Sequence, residues 1–226
     1  SLILRTIMKT VKNTVMTRVS TRKFLDKPLP SDILRELLIQ ANYAPSGGNL
    51  QPWRIFVLNH GGMERFLNFQ KKWMGVSGPS YDIYPPSLKE PYRSSRYKVG
   101  EQMYELLGIT RDDKEARLNQ VLQNFEFFGA PAGLFCFLDK AMGPPQWSDC
   151  GMFLQTFMLL AAESGIDTCA QEAWSMKEQC IKEFFNIPED LRIFCGMAIG
   201  YGDSHAPINH LKTEREPLAH WAKFEE

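Results

Sequence analysis

Ala44-Pro45-Ser46-Gly47-Gly48-Asn49-Leu50-Gln51-Pro52-Trp53-Arg54-Ile55-Phe56-Val57-Leu58 is the stretch on which the reading of this chain turns. Gly47 and Gly48 let the backbone approach a flat partner and reach positive φ, while Pro45 and Pro52 stiffen both ends of the loop. The β-branched and aromatic run Arg54–Leu58 predicts a strand. Upstream, Ile33, Leu34, Leu37, Leu38 and Ala41 recur with helical spacing and predict one buried stripe, with Pro30-Ser31-Asp32 as its start signal. A stiff polar loop between a buried helix and a buried strand is a good seat for a ligand. On composition alone it is equally an ordinary helix-to-strand connection.

Working outward, Met63–Met74 predicts a helix. Gly75 to about Lys98 carries Pro79, Pro85, Pro86 and Pro91 among Tyr81, Tyr84, Tyr92 and Tyr97. A loop this long and this rich in tyrosine predicts an ordered cover over a substrate. Asp112–Phe128 predicts a charged helix ended by Gly129-Ala130-Pro131, followed by a core strand at Gly133–Leu138. Asp149–Ser164 is apolar nearly all round and predicts a helix buried by the core or by a second subunit. Met176–Phe185 predicts a helix and Arg192–Ile199 a strand, and residues 203–226 read as an extended arm.

The chain has 226 residues, enough for one domain with a substantial core. Its 26 basic and 26 acidic residues cancel, and no basic patch points to a nucleic-acid partner. No apolar run is long enough to span a bilayer. Five cysteines with no CxxC pair or ligand-spaced histidine predict buried, reduced thiols in a cytoplasmic protein, with no disulfide and no metal. The first seventeen residues carry Arg5, Lys9 and Lys12 and no acid. Such a segment hints at a transit peptide, but the reading preferred here is an amphipathic helix with Val11 and Val15 packed inward. The four histidines and Trp147, Trp174 and Trp221 read as surface and packing residues, although Trp174 also suits a substrate wall.

Two arginines four apart with a hydroxyl between them, Arg18-Val19-Ser20-Thr21-Arg22, can face one anion together, and on spacing alone they also suit a solvated basic face. Beside them stand three further segments: the Ala44–Trp53 loop, Thr168-Cys169-Ala170-Gln171-Glu172-Ala173-Trp174, and Gly200-Tyr201-Gly202-Asp203 with Pro207-Ile208-Asn209 and Arg215-Glu216-Pro217. Together, over about Met16 to Pro217, these four segments resemble the FMN-dependent nitroreductase family. Leu107-Gly108-Ile109 with Arg111 and Asp113, and Asn124-Phe125 with Phe128-Gly129-Ala130-Pro131, resemble its nitrobenzoate-reductase branch.

The resemblance implies an α+β fold: a central, mainly antiparallel sheet flanked by helices in an intertwined homodimer. One domain would cover 1–226, with its core at about 16–202 and a C-terminal arm at 203–226. It implies that Arg18, Ser20 and Arg22 hold the phosphate and ribityl end of FMN, with Arg22 also reaching the pyrimidine side and Val19 offering backbone atoms alone. Pro45, Ser46, Gly47 and Asn49 would contact the flavin bound mainly by the other subunit. The backbone of Gln171, Glu172 and Ala173 would run over one ring edge, and Arg215 would add a phosphate contact. Thr213 stands where some relatives have a second basic residue. Tyr81, Tyr84 and Trp174 are the candidate substrate walls.

The activity implied is electron transfer from NADPH or NADH through FMN to nitroaromatic, nitrobenzoate-like or related aromatic and quinone acceptors, one open face serving both substrates in turn by a ping-pong mechanism. The flavin carries the redox chemistry and no side-chain nucleophile is needed, in keeping with a sequence that lacks a GxSxG elbow, an HExxH or a P-loop. Two other readings fit the same scaffold: a flavin-dependent reductive dehalogenase, whose lid would need a Glu, Tyr and Lys clamp, and a non-catalytic FMN-binding protein.

Overall fold

The computed structural model describes residues 9–226. Four strands form one sheet: β1 (Arg54–Leu58), β2 (Ala132–Asp139), β3 (Asp167–Gln171) and β4 (Leu191–Gly200), in the order β1-β2-β4-β3. Every neighbouring pair is antiparallel. Seven α-helices flank it: α1 (Val11–Thr17), α2 (Ser31–Ala41), α3 (Gly61–Lys72), α4 (Tyr92–Leu106), α5 (Lys114–Leu122), α6 (Pro144–Glu163) and α7 (Glu178–Phe185). The α+β architecture and mainly antiparallel sheet are those expected.

Both faces of the sheet are covered, so its strands are apolar on both sides. One face presents Leu134, Cys136, Leu138, Cys195, Met197 and Ile199 to Leu34, Leu37 and Ala41 of α2 and Phe153, Phe157 and Ala161 of α6. The α2 stripe read from the sequence is therefore the one buried. The other face presents Phe135, Phe137 and Ile193 to Phe66 of α3 and Ile181 of α7. Trp174 stands at the centre of this second layer. Its ring lies 4.7 Å from Phe127, 5.2 Å from Phe125, 5.3 Å from Phe135 and 5.5 Å from Phe66, pairings worth roughly 0.5–1.5 kcal/mol each beyond area burial. Gly196 on β4 leaves the space that the indole fills, since a Cβ there would collide with it.

Several elements differ from expectation for reasons that lie in packing. The helix expected to run to Phe128 stops at Leu122 and tightens into a 3₁₀ segment, Gln123–Gly129. There Phe127 and Phe128 take φ of 49° and 53°, a left-handed conformation that costs of order 1–2 kcal/mol per residue. Both rings are buried in return. α4 claims residues from Tyr92 onward, which shortens the irregular Tyr- and Pro-rich segment. β3 was not expected at all: Asp-Thr-Cys-Ala-Gln has little intrinsic strand character, and it is a strand because β4 offers it a partner edge. α1 forms, with Thr10 capping it through Asn13 N–H at 3.1 Å, but its apolar face is not packed inward. Val11 and Val15 are 76% and 47% exposed, and Thr14 is the buried residue of the helix.

Candidate functional site

Three of the four segments singled out in the sequence meet at one edge of the sheet. Residues 18–25 leave α1 in extended conformation and are stitched to two other parts of the chain. Ser20 forms a parallel bridge with Thr168, and Thr21 N–H donates to the Thr168 carbonyl at 3.0 Å. Phe24 bridges Gly202, and Leu25 N–H donates to Tyr201 at 2.8 Å. Gly202 N–H in turn donates to Asp167 Oδ2 at 2.8 Å. A Cβ on Gly202 would sit 2.8 Å from that same oxygen and 2.9 Å from Thr21 Cγ2. The second glycine of Gly-Tyr-Gly is therefore a close-packing residue, not part of a dinucleotide loop.

Arg22 is fixed by its backbone: its N–H donates to Asn209 Oδ1 at 2.8 Å. The charges of Arg22, Arg18 and Glu172 all act on the Cys169 thiol, whose pKa is raised chiefly by burial, opposed by the two arginines and supported by Glu172. The Ser20–Thr168 bridge sets the Arg18–Arg22 segment alongside β3, whose last residue Gln171 is followed by Glu172. There Ala170 and Glu172 face outward while Cys169 and Gln171 face the core.

Arg18 Nε is buried and has no hydrogen-bond partner among the described residues. A buried donor left unpaired costs about 1–3 kcal/mol, more when charged. A phosphate oxygen set against it removes that cost through a short charge-assisted bond. The pair of arginines flanking the Ser20 hydroxyl therefore has the donor set for a phosphate, and the residues present fit the phosphate of FMN.

The loop that opened the sequence reading lies elsewhere in the chain. Gly47 N–H donates to Asp149 Oδ2 at 3.2 Å, and Gln51 N–H to Ser46 Oγ at 3.0 Å. Gly48, Asn49 and Gln51 all take positive φ, of 57°, 54° and 47°. Pro45, Ser46 and Asn49 line an open groove of about 870 Å³ with Ile39, Tyr43 and Trp53. Among the described contacts, none joins this loop to Arg18–Arg22 or to residues 168–173. The Arg215 guanidinium donates to Thr213 Oγ1 at 2.6 Å and to the Glu214 carbonyl at 2.9 Å, beside Ser94, Ser95 and Lys98 of α4.

Two expected contact residues have other duties. Trp174, a candidate substrate wall, is fully buried and donates from Nε1 to Gln171 Oε1 at 3.2 Å; it is core and cannot line a substrate face. The Gln171 side chain is turned inward, donating to the Asn124 carbonyl at 2.7 Å, which leaves its backbone alone to face outward. Tyr81 donates its hydroxyl to the Phe194 carbonyl and packs edge-on against Trp147. Burial is the main cause that raises its pKa above the usual tyrosine value, so it is a neutral phenol. Tyr84 is half-exposed beneath the Arg96 guanidinium, 3.8 Å from the ring centre.

The sequence reading passed over Asp149 and Asp167, which hold the loop and Gly202 in place, and took Asn209, which holds Arg22, as part of the C-terminal motif without giving it that role. Asp149 alone carried a signal, as the one acidic residue before Glu163 in an otherwise apolar helix. All five cysteines are buried and free. Among the described residues no helix is long and apolar enough to cross a membrane, and no group of three or more His, Cys, Asp or Glu side chains could hold a metal ion.

The profile of the Nitroreductase family matches residues 15–201, and the chain belongs to that family. It is 33% identical over 208 residues to the nitrobenzene nitroreductase of Ectopseudomonas oleovorans, covering 90% of this chain and 91% of that one. It is 36% identical over 208 residues to the 4-nitrobenzoate reductase of Pseudomonas putida, covering 90% of each. Among solved structures, the FMN and NADPH-dependent nitroreductase NfnB from sphigopyxis sp. strain HMH superposes with a TM-score of 0.91 at 38% identity, covering 96% of this chain and 99% of that one.

Proposed function

We propose that this chain is an FMN-dependent oxidoreductase that takes electrons from NADPH or NADH and reduces nitroaromatic, nitrobenzoate-like or related aromatic and quinone acceptors. The observation that carries this reading is the unpaired, buried Nε of Arg18 beside Ser20 and Arg22, on a fold whose relatives are nitroreductases. FMN, when bound, supplies the two-electron chemistry that no side chain here can perform.

The residues have positioning and electrostatic roles. Arg18, Ser20 and Arg22 hold the phosphate and ribityl end, and Val19 contributes its backbone. Arg22 also supplies positive charge toward the pyrimidine edge, where electrostatic stabilisation of a reduced ring is most effective. The outward-facing backbone of Gln171, Glu172 and Ala173 lies along one ring edge, and Arg215 on the arm adds a phosphate contact. Tyr81 and Tyr84 are the aromatic walls against which a flat acceptor packs.

A homodimer completes the site. Among the described residues Pro45, Ser46, Gly47 and Asn49 make no hydrogen bond to Arg18 or Arg22, and in this reading a second chain presents the loop to the flavin across a two-fold axis. The exposed Val11, Met16, Ile39, Tyr43 and Met152 supply apolar surface for that association. Five buried free thiols suit a reducing cytoplasm.

Steady-state kinetics test the reading. Initial rates with varied NADPH at several fixed concentrations of 4-nitrobenzoate give parallel double-reciprocal lines if donor and acceptor use one face in turn. Intersecting lines would mean that both bind together, and the single-face account would be wrong.

A further inference from the structure

Between the Tyr- and Pro-rich segment and α4 lies a second open groove, of about 880 Å³, whose lining includes Lys89, Arg93, Arg96, Tyr97, Glu101 and Arg117. On a chain whose charges cancel, the cations of this lining, Lys89, Arg93, Arg96 and Arg117, outnumber its anions, Glu90 and Glu101. Both anions are already engaged. Glu90 accepts from Arg93 Nε at 2.8 Å, and Glu101 takes Arg111 at 3.1 Å and Arg117 at 3.3 Å. Hydrogen bonds from Ser94 and Arg93 hold the Glu90 carboxyl below its usual range, and Arg111 does the same for Glu101. They stay ionised and keep those arginines occupied.

Lys89 and Arg96 are left without a carboxylate among the described residues. The Arg96 guanidinium carbon stands 3.8 Å from the centre of the Tyr84 ring, a cation–π contact that engages the guanidinium face and not its N–H edges. Tyr97 follows Arg96 on α4, 57% exposed, its hydroxyl accepting from Arg111. Free cations and an exposed aromatic ring in one groove suit a flat base that carries a phosphate: the base stacks on the ring and the guanidinium edge takes phosphate oxygens in pairs.

We propose that this groove receives the adenosine 2′-phosphate of NADPH, with Arg96 and Lys89 as the phosphate ligands and adenine packed on the exposed ring of Tyr97. It rests on the reading that this chain oxidises a nicotinamide nucleotide, and it adds a donor preference: NADH lacks the phosphate and leaves both cations unused. The sequence segment read as a substrate cover then grips the donor with its arginines as well as walling the acceptor with its tyrosines.

The test uses the FMN-loaded protein with two exposed-residue variants, Arg96→Ala and Lys89→Ala. Calorimetry with adenosine 2′,5′-bisphosphate as probe should show binding weakened roughly 10- to 100-fold in Arg96→Ala, with 5′-AMP binding unchanged. In turnover, KM for NADPH should rise by a similar factor while KM for NADH and flavin content per chain hold steady. Equal losses with both donors, no change with either, or no binding of the bisphosphate to the unaltered protein would overturn the proposal. So would a rise in KM for 4-nitrobenzoate but not nitrobenzene with NADPH unaffected, which would give the groove to the acceptor carboxylate. An unaltered protein that binds the bisphosphate yet oxidises neither nucleotide would instead refute the redox reading, leaving the groove in place.

Discussion

Asn209 Oδ1 accepts the backbone N–H of Arg22 at 2.8 Å across 187 positions of sequence. The same amide donates through Nδ2 to the carbonyls of Lys23 at 2.9 Å and Asp203 at 2.8 Å. One side chain on the C-terminal arm thereby sets where the second arginine of the candidate phosphate site stands.

Asn209→Ala removes those three bonds together. At about 1 kcal/mol each, the loss of roughly 3 kcal/mol lowers the melting temperature by about 6–12 °C for a chain of this size. Flavin affinity falls with it, because Arg22 loses its seat. Differential scanning calorimetry and flavin release on dilution measure the two effects, and a variant that melts and binds like the parent would show that the amide positions nothing.

Arg18→Ala separates binding from folding. The buried Nε has no partner among the described residues, so the flavin-free variant melts no lower than the flavin-free parent. Its affinity for FMN falls about 10-fold or more with the lost charge-assisted bonds. Fluorescence titration reads the affinity; retention of full flavin would remove Arg18 from the site.

Trp174→Ala has the opposite pattern. Emptying a fully buried indole costs about 3–5 kcal/mol, while KM for the acceptor, measured below the new melting point, is unchanged. A rise in KM confined to the acceptor would return Trp174 to the substrate face.

Mixed dimers test the shared site. Subunits carrying Asn49→Ala and subunits carrying Arg22→Ala, each weak in FMN alone, are unfolded and refolded together. A two-fold arrangement puts both lesions in one site and leaves the other intact, so flavin binding and turnover recover in part. No recovery would mean that the loop and the arginines serve the same chain's site.

The thiols give a pH signature. Burial raises Cys169, Cys180 and Cys195 above the ordinary thiol range, with Cys180 at about 11. The folded chain therefore keeps protons that the unfolded chain releases above about pH 8.5–9. Stability contributed by these groups is complete below that pH and is lost as pH rises toward the folded values. Denaturant midpoints should fall steadily between pH 8.5 and 11, a window that extends from about the reference thiol value to the folded value of Cys180. Ellman's reagent should find few reactive thiols until the chain unfolds, and rapid labelling of the folded protein would contradict the burial.

What could be read from the sequence was set by local physics. The α2 stripe of Leu34, Leu37 and Ala41 and the β1 run declare themselves by period and propensity, and the glycines and prolines of residues 44–53 mark a loop in any context. Arg18, Ser20 and Arg22 were visible only as a pattern shared with a family, and the fold then brought them to Thr168 and Asn209. What was missed is tertiary in origin. β3 is a strand because β4 pairs with it, Phe127 and Phe128 turn left-handed because the Trp174 layer buries their rings, and Gln171 turns inward to meet Asn124. Val11 and Val15 have the spacing of a buried stripe, but nothing among the described residues covers them.

The measurement that tests the central claim most directly is an anaerobic half-reaction followed by absorbance. NADPH is added to the purified, FMN-loaded protein, and then one equivalent of 4-nitrobenzoate. The account predicts that the flavin band bleaches with NADPH and returns with the nitro compound. A flavin band that ignores both nucleotides, or that bleaches and is never restored by any nitroaromatic, would contradict it.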